Sequence, residues 1–151
     1  MAKPRSPFAP RARARRRALQ AIYQWQINDQ SMRKILAQFE EEQDMGIVDR
    51  DYFEALLLGV EQHQETLDEA LAEYLDRPMA QVDAIERASL RLAAFELCHR
   101  LDVPFKVILN EAVELAHDFG SEGGASYVNG VLDKFAARWR EAEWQEGRKG
   151  G

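Results

Sequence analysis

The side chains best suited to chemistry lie near the start of the chain. Between positions 11 and 17 the sequence runs Arg-Ala-Arg-Ala-Arg-Arg-Arg, five arginines in seven residues. A guanidinium is a planar fork of donors that grips phosphate and stacks on bases. Alanine and arginine both favour helix, so the segment can extend a helix or fold onto a partner. Five positive charges at a helix start oppose the helix dipole and repel one another, a cost that argues for use of the charge. The pattern points to nucleic-acid contact by Arg11, Arg13, Arg15, Arg16 and Arg17, against the plainer reading of a solvated helix start. RNA fits better than DNA, because no zinc spacing or helix-turn-helix signature accompanies the arginines. With all five on phosphates, log K should fall against log salt with a slope of about −3.5 for a single strand. Tyr23, Trp25 and Tyr127 are candidates for base stacking or partner contact, and a core role suits Trp25 equally well.

Other spacings are weaker. Glu96-Leu-Cys-His99 and Glu114-Leu-Ala-His117 both read Glu-x-x-His, the pair that di-metal carboxylate bundles place on two helices. At 100° per residue, however, Glu114 and His117 lie more than about 130° from the apolar stripe of Ile108, Ala112, Leu115 and Phe119, and are expected in solvent. Glu96 and His99 fall on a helix apolar on most sides, so their direction stays open. His63 stands alone, Cys98 has no basic neighbour fixed by sequence, and Glu111 with Glu114 reads as a solvated helix face. No Gly-rich phosphate loop, nucleophile elbow or cysteine metal site occurs, and neither catalysis nor a cofactor is expected.

The elements that must position these residues are helical throughout. The chain has 151 residues, enough for one ordinary domain. Residues 1–28 carry seven basic and no acidic side chains, which leaves 13 basic and 26 acidic ones for the remainder, a balance of −13. Cys98 is the single cysteine, which fits a reducing compartment, and no secretory h-region or membrane span is visible; a cytoplasmic protein is expected. Pro4, Pro7 and Pro10 predict an extended, flexible tail over residues 1–10. Helical spacing then predicts an all-α domain of about seven helices over 11–144. The first runs from Arg11 with Leu19, Ile22, Tyr23 and Ile27 inward. A second is capped by Ser31 and a third by Asp49, the latter with Phe53, Leu56, Leu57 and Val60 inward. A fourth carries Leu67, Leu71 and Tyr74 and stops near Pro78. The fifth, over about 80–101, is apolar nearly all round and belongs at the centre. Pro104 opens a sixth, Gly120, Gly123 and Gly124 break the chain, and a seventh carries Val128, Val131, Leu132 and Phe135. Residues 145–151 read as a flexible tail.

Several longer runs are similar to the NusB family of bacterial transcription antitermination factors. They are Arg15-Arg-Arg-Ala-Leu-Gln-Ala-Ile-Tyr-Gln-Trp25, Asp51-Tyr52 leading to Leu57-Leu-Gly-Val60, and Glu86-Arg-Ala-Ser-Leu-Arg-Leu-Ala93. To these add Asp102-Val-Pro-Phe-Lys-Val-Ile-Leu-Asn-Glu-Ala-Val-Glu-Leu-Ala116, Phe119-Gly120 and Tyr127-Val-Asn-Gly-Val-Leu-Asp-Lys134. The resemblance spans about residues 11–140. It implies two packed three-helix bundles and a factor that binds boxA leader RNA of ribosomal RNA operons together with NusE, a small-ribosomal-subunit protein. It also implies assembly with RNA polymerase and other Nus factors to suppress premature termination, without a cofactor or catalysis. Monomer and homodimer are both left open. By position, the resemblance assigns Arg11, Arg13, Arg15, Arg16, Arg17 and Tyr127 to RNA and Tyr23 and Glu86 to NusE, while Asn110, Glu111, Asn129 and Asp133 read as structural. Gly123 and Gly124 stand where relatives often carry polar side chains. The same helical domain also precedes a ribosomal RNA cytosine methyltransferase, and a chain of this length leaves no room for that enzyme's cofactor-binding domain.

Overall fold

The structure, a computed structural model, describes residues 9–149, so the tail expected over 1–10 lies outside the described residues except at its end. There Ala9 and Pro10 already belong to helix α1 (Ala9–Ile27), proline being tolerated in a first turn where its missing N–H costs nothing. The chain continues through α2 (Met32–Glu42), α3 (Arg50–Ala72), a 3₁₀ turn (Met79–Gln81), α4 (Ala84–His99), α5 (Phe105–Phe119), α6 (Gly124–Trp139) and α7 (Glu141–Lys149). No strand occurs among the described residues, and none of the helices is long and apolar enough to cross a membrane.

The helix starts follow local chemistry. The Ser31 hydroxyl accepts from Lys34 N at 3.3 Å and the Asp49 carboxylate from Tyr52 N at 3.1 Å, both as expected from sequence. Asp83 does the same for α4, accepting from Ile85 N at 3.0 Å. Each cap satisfies a backbone donor that the helix itself leaves orphaned.

α1, α2 and α3 pack mutually, as do α4, α5 and α6, giving the two three-helix bundles expected. α4 joins them, packing against α1 and α3 on one side and α5 and α6 on the other. All residues of α4 from Ala88 to Leu97 are buried, which places it at the centre of the core with Phe53, Leu57, Leu19, Ile22, Leu132 and Phe135.

Seven α-helices are present among the described residues, yet not the seven expected. The third and fourth expected helices are one continuous α3. Val60 and Leu67 are seven residues apart, two turns less about 20°, so their stripe runs on, and no Gly or Pro interrupts it. The count is restored by α7, where a loose tail was expected. Residues 150 and 151 lie outside the described residues. Tertiary bonds hold α7 in place. Glu143 Oε2 accepts from Phe105 N at 2.7 Å, capping α5, and its Oε1 takes Arg140 Nη1 at 2.7 Å. Arg140 in turn donates to the carbonyls of Glu96, Leu97, Arg100 and Val103, closing the C-terminal end of α4.

Candidate nucleic-acid interface

The first two turns of α1 divide the arginines by direction. Ala14, Ala18, Leu19, Ala21 and Ile22 are buried, and Arg15 lies on the same stripe. Arg15 is 2% exposed, and its guanidinium meets Glu96, itself 1% exposed, through Nε at 2.9 and 3.0 Å and Nη2 at 2.9 Å. The Tyr52 hydroxyl completes the group with a short hydrogen bond to Glu96 and an accepted bond from Arg15 at 3.4 Å. Burial opposes the Arg15 charge, but the hydrogen bond and charge of Glu96 outweigh it and hold the guanidinium above its ordinary pKa. Burial and the neighbouring Glu96 likewise push the Tyr52 hydroxyl well above the usual tyrosine range. Arg15 was expected on phosphate with its neighbours. That expectation is corrected, because a carboxylate inside the protein already takes its charge.

The other four arginines of the run reach the surface. Arg16 is exposed, pairs with Asp118 at 3.0 Å and lies 4.7 Å from the Phe119 ring. Arg13 donates to Ile47 O and Arg17 to Asp44 O, each at 3.5 Å, in the loop before α3. Arg11 lies 3.7 Å from Asp49 and 3.4 Å from Asp102, with its guanidinium 4.3 Å from the Tyr52 ring. These cations are held in place by exposed carboxylates and loop carbonyls, partners that a phosphate can replace.

Tyr23 and Ile27, expected inward, are 37% and 55% exposed. From Arg16, Tyr23 is seven residues on, about 20° round the axis and about 10 Å along it, so the two share one side of α1. Gln26, one turn beyond Tyr23, donates to Ala84 O at 2.9 Å and brings this end of α1 against the start of α4. Tyr127 is half-buried at the start of α6, gives its hydroxyl to Asp76 at 3.1 Å and has Arg77 5.1 Å from its ring. It therefore lies with the α3–α4 connection and, among the described residues, makes no hydrogen bond or cation–π contact with the α1 arginines that the sequence reading grouped with it.

Glu86 departs furthest from expectation. An acidic side chain offered to a basic partner should be exposed, yet Glu86 is 6% exposed and faces the α5–α6 loop. Ser121 Oγ donates to its Oε1 at 3.4 Å, while Oε2 is buried with no donor facing it among the described residues. Burial, then the adjacent Asp83 carboxylate, push its pKa up to about 7. The two glycines explain the crowding. Gly123 adopts φ +84°, which caps α6 at little cost without a side chain. A Cβ on Gly124 would stand 2.5 Å from Glu86 Oε1, so a side chain there would have to displace the carboxyl.

The NusB family profile matches residues 12–137. The chain belongs to the NusB family. It is 58% identical over 133 residues to the transcription antitermination protein NusB of Stenotrophomonas maltophilia (strain K279a), covering 88% of this chain and 84% of that one. The fold is similar to that of T. maritima NusB, with TM-score 0.79 and 26% identity over 96% of this chain and 99% of that one. It is also similar to a crystal structure of the antitermination factors NusB and NusE in complex with dsRNA, with TM-score 0.73 and 23% identity over 83% of this chain and 94% of that one. The NusB match encloses Arg13, Arg15, Arg16, Arg17, Tyr23, Glu86 and Tyr127 and begins one residue after Arg11.

Around this NusB-family framework the sequence reading missed two features. Arg100, in the turn after α4, grips Asp102 through Nε and Nη2, both at 3.1 Å, and lies 4.7 Å from the Tyr52 ring, so it joins Arg11 on one patch. A single arginine at a helix end carries no pattern that would single it out. The second is an open groove of about 560 Å³ between α5 and α6, lined by Asn110, His117, Ala125 and Asn129 among others. Asn110 and Asn129, read as structural, are exposed there. The Glu-x-x-His pairs do not converge. Glu114 and His117 are exposed, Glu96 is spent on Arg15, and His99 stacks 4.1 Å from His63, which therefore does not stand alone.

Proposed function

We propose that this chain is a non-catalytic RNA-binding adaptor of transcription antitermination. On this reading it binds boxA leader RNA, as in ribosomal RNA operons, together with NusE, inside a cytoplasmic RNA polymerase complex with other Nus factors. Arg11, Arg13, Arg16 and Arg17 neutralise phosphates. Tyr127 offers its ring to a base once Arg77 swings aside, and Tyr23 meets NusE from the same side of α1 as Arg16. Glu86 acts indirectly, by shaping the α5–α6 loop.

The observation that carries the reading is the split within the arginine run. Arg15 locks the helix into the core, and that anchor is what lets its four neighbours hold charge on the surface of an otherwise acidic body. The solved assembly of NusB, NusE and dsRNA supports the same pairing of partners. An acidic body limits loose RNA binding until a basic partner adds its own surface, so affinity is shared between RNA and NusE.

The test is fluorescence anisotropy of a labelled boxA RNA against a scrambled one, with and without NusE, across a salt series. Four surface arginines on phosphate give a log–log salt slope of about −2.8 for a single strand, shallower than the value for five. Replacing all four by glutamine should weaken RNA binding strongly and leave folding nearly intact. A flat salt response with no gain from NusE would leave a protein-binding scaffold and overturn the RNA reading.

A further inference from the structure

Resting on that reading, we infer that Arg100 and Arg11 form a clamp for one RNA phosphodiester, seated against Tyr52, in which Asp102 holds the phosphate's place in the free protein. The two arginines come from elements distant in sequence, α1 and the α4–α5 turn, yet both donate to Asp102 Oδ2, Arg11 at 3.4 Å and Arg100 at 3.1 Å. Arg100 adds Nε to Oδ1 at 3.1 Å, the forked grip that guanidinium gives to carboxylate and phosphate alike. Both guanidiniums lie within 4.7 Å of the Tyr52 ring centre. That ring cannot swing, because it is 2% exposed and its hydroxyl is fixed by Glu96 and Arg15. Two cations are therefore preorganised on a rigid platform.

The occupant is replaceable. The Asp102 side chain is 53% exposed and hinges in a turn, whereas the buried partner of Arg15 is not free to leave. Arg100 Nη1 and Arg11 Nη2 make no hydrogen bond among the described residues, so donors remain for the further oxygens of a phosphate. Hydrogen bonding from Arg100 holds the Asp102 carboxyl down to about 2, so it stays anionic at any working pH and competes with the incoming phosphate. The clamp therefore makes opposite predictions for its two members. Loss of Arg100 weakens RNA binding, and loss of the Asp102 charge strengthens it.

The experiment compares wild type with Arg100→Gln, Asp102→Asn and Arg16→Gln, full chain in each case, on a labelled single-stranded boxA RNA over a salt series. For Arg100→Gln the expected result is about 3- to 10-fold weaker binding with the salt slope nearly unchanged, because Arg11 still neutralises the shared phosphate. For Asp102→Asn it is binding about 2- to 5-fold tighter. An unchanged affinity for Arg100→Gln beside a weakened Arg16→Gln would overturn the clamp and leave the RNA reading standing. No change in either arginine variant would overturn the RNA reading itself. Asp102→Asn breaks the same ion pair as Arg100→Gln. If it weakens binding as much, the pair is a structural strut and the clamp is overturned.

Discussion

At the start of α1, Arg11 and Arg16 hold the exposed carboxylates of Asp102 and Asp118 at 3.4 and 3.0 Å. At the start of α4, the carboxyl of Glu86 is buried under Gly124 with one oxygen lacking a donor among the described residues. The first region is a set of charges with exchangeable partners, and exchange is what a phosphate-binding surface requires. The second is a carboxyl kept against its solvation preference inside a loop junction, where a change of charge alters packing. One molecule thus carries both a face that binds by swapping ions and a junction that responds to protonation. Charge near the surface and charge in the interior do different work here, and side chains adjacent in sequence, Arg15 and Arg16, fall on opposite sides of that line.

The largest effect should come from crossing it. Arg15→Ala leaves Glu96 charged and unpaired among buried side chains, and breaking a buried pair from one side costs about 3–5 kcal/mol. Arg16→Ala removes an exposed pair worth about 0–1 kcal/mol. Urea denaturation of the two variants should therefore separate them widely, while RNA affinity ranks them the other way wherever Arg15→Ala still folds. Equal stability losses would erase the distinction between anchor and surface charge.

Much of the fold was legible because its signals are local. Ser31 and Asp49 announce helix starts through their own side chains, and the nearly continuous apolar run from Ala88 to Leu97 marks α4 as central. α7 was not legible. Its sequence is polar, and it is held by Glu143 capping α5, a bond between residues 38 apart. The arginine segment was visible as a site, but its division was not drawn from it. The signal was present, since Arg15 stands four residues before Leu19 and seven before Ile22 and so continues their stripe. Charge masked it, because an arginine on an apolar stripe makes sense only once Glu96, 81 residues away, is known to face it. Tyr127 with Asp76, and Arg100 with Arg11, are non-local in the same sense.

The junction at Glu86 should show itself through pH. Its folded pKa is raised to about 7 from an ordinary 4.5, by burial and then by Asp83. A raised acid pKa contributes stability that is fully present below the unfolded value and is lost as pH rises through the folded one. Wild type should therefore lose stability relative to Glu86→Gln between about pH 4.5 and pH 7. Above that window the variant should be the more stable by about 1 kcal/mol, the order of one unsatisfied polar group. Thermal melts of both proteins at pH 4.5, 6 and 8 check this. Parallel curves would mean that Glu86 carries no pH dependence and that the junction is ordinary.

The smallest effect on stability belongs to Tyr127, and RNA binding by its variants decides which region the residue serves. Its hydroxyl bond to Asp76 is exposed, so Tyr127→Phe should cost no more than about 0.5 kcal/mol and leave RNA affinity unchanged. Tyr127→Ala removes the ring as well. If a base stacks there, RNA binding should weaken by about 1–3 kcal/mol, as base–aromatic stacking does elsewhere, and the salt slope should not move. The slope is the discriminating reading, because a ring carries no charge and releases no counterions. A Tyr127→Ala variant that binds like wild type would confine RNA contact to the arginine end. One that changes the slope would mean that the ring acts on Arg77, whose guanidinium lies 5.1 Å from it, and so belongs to the electrostatic face after all.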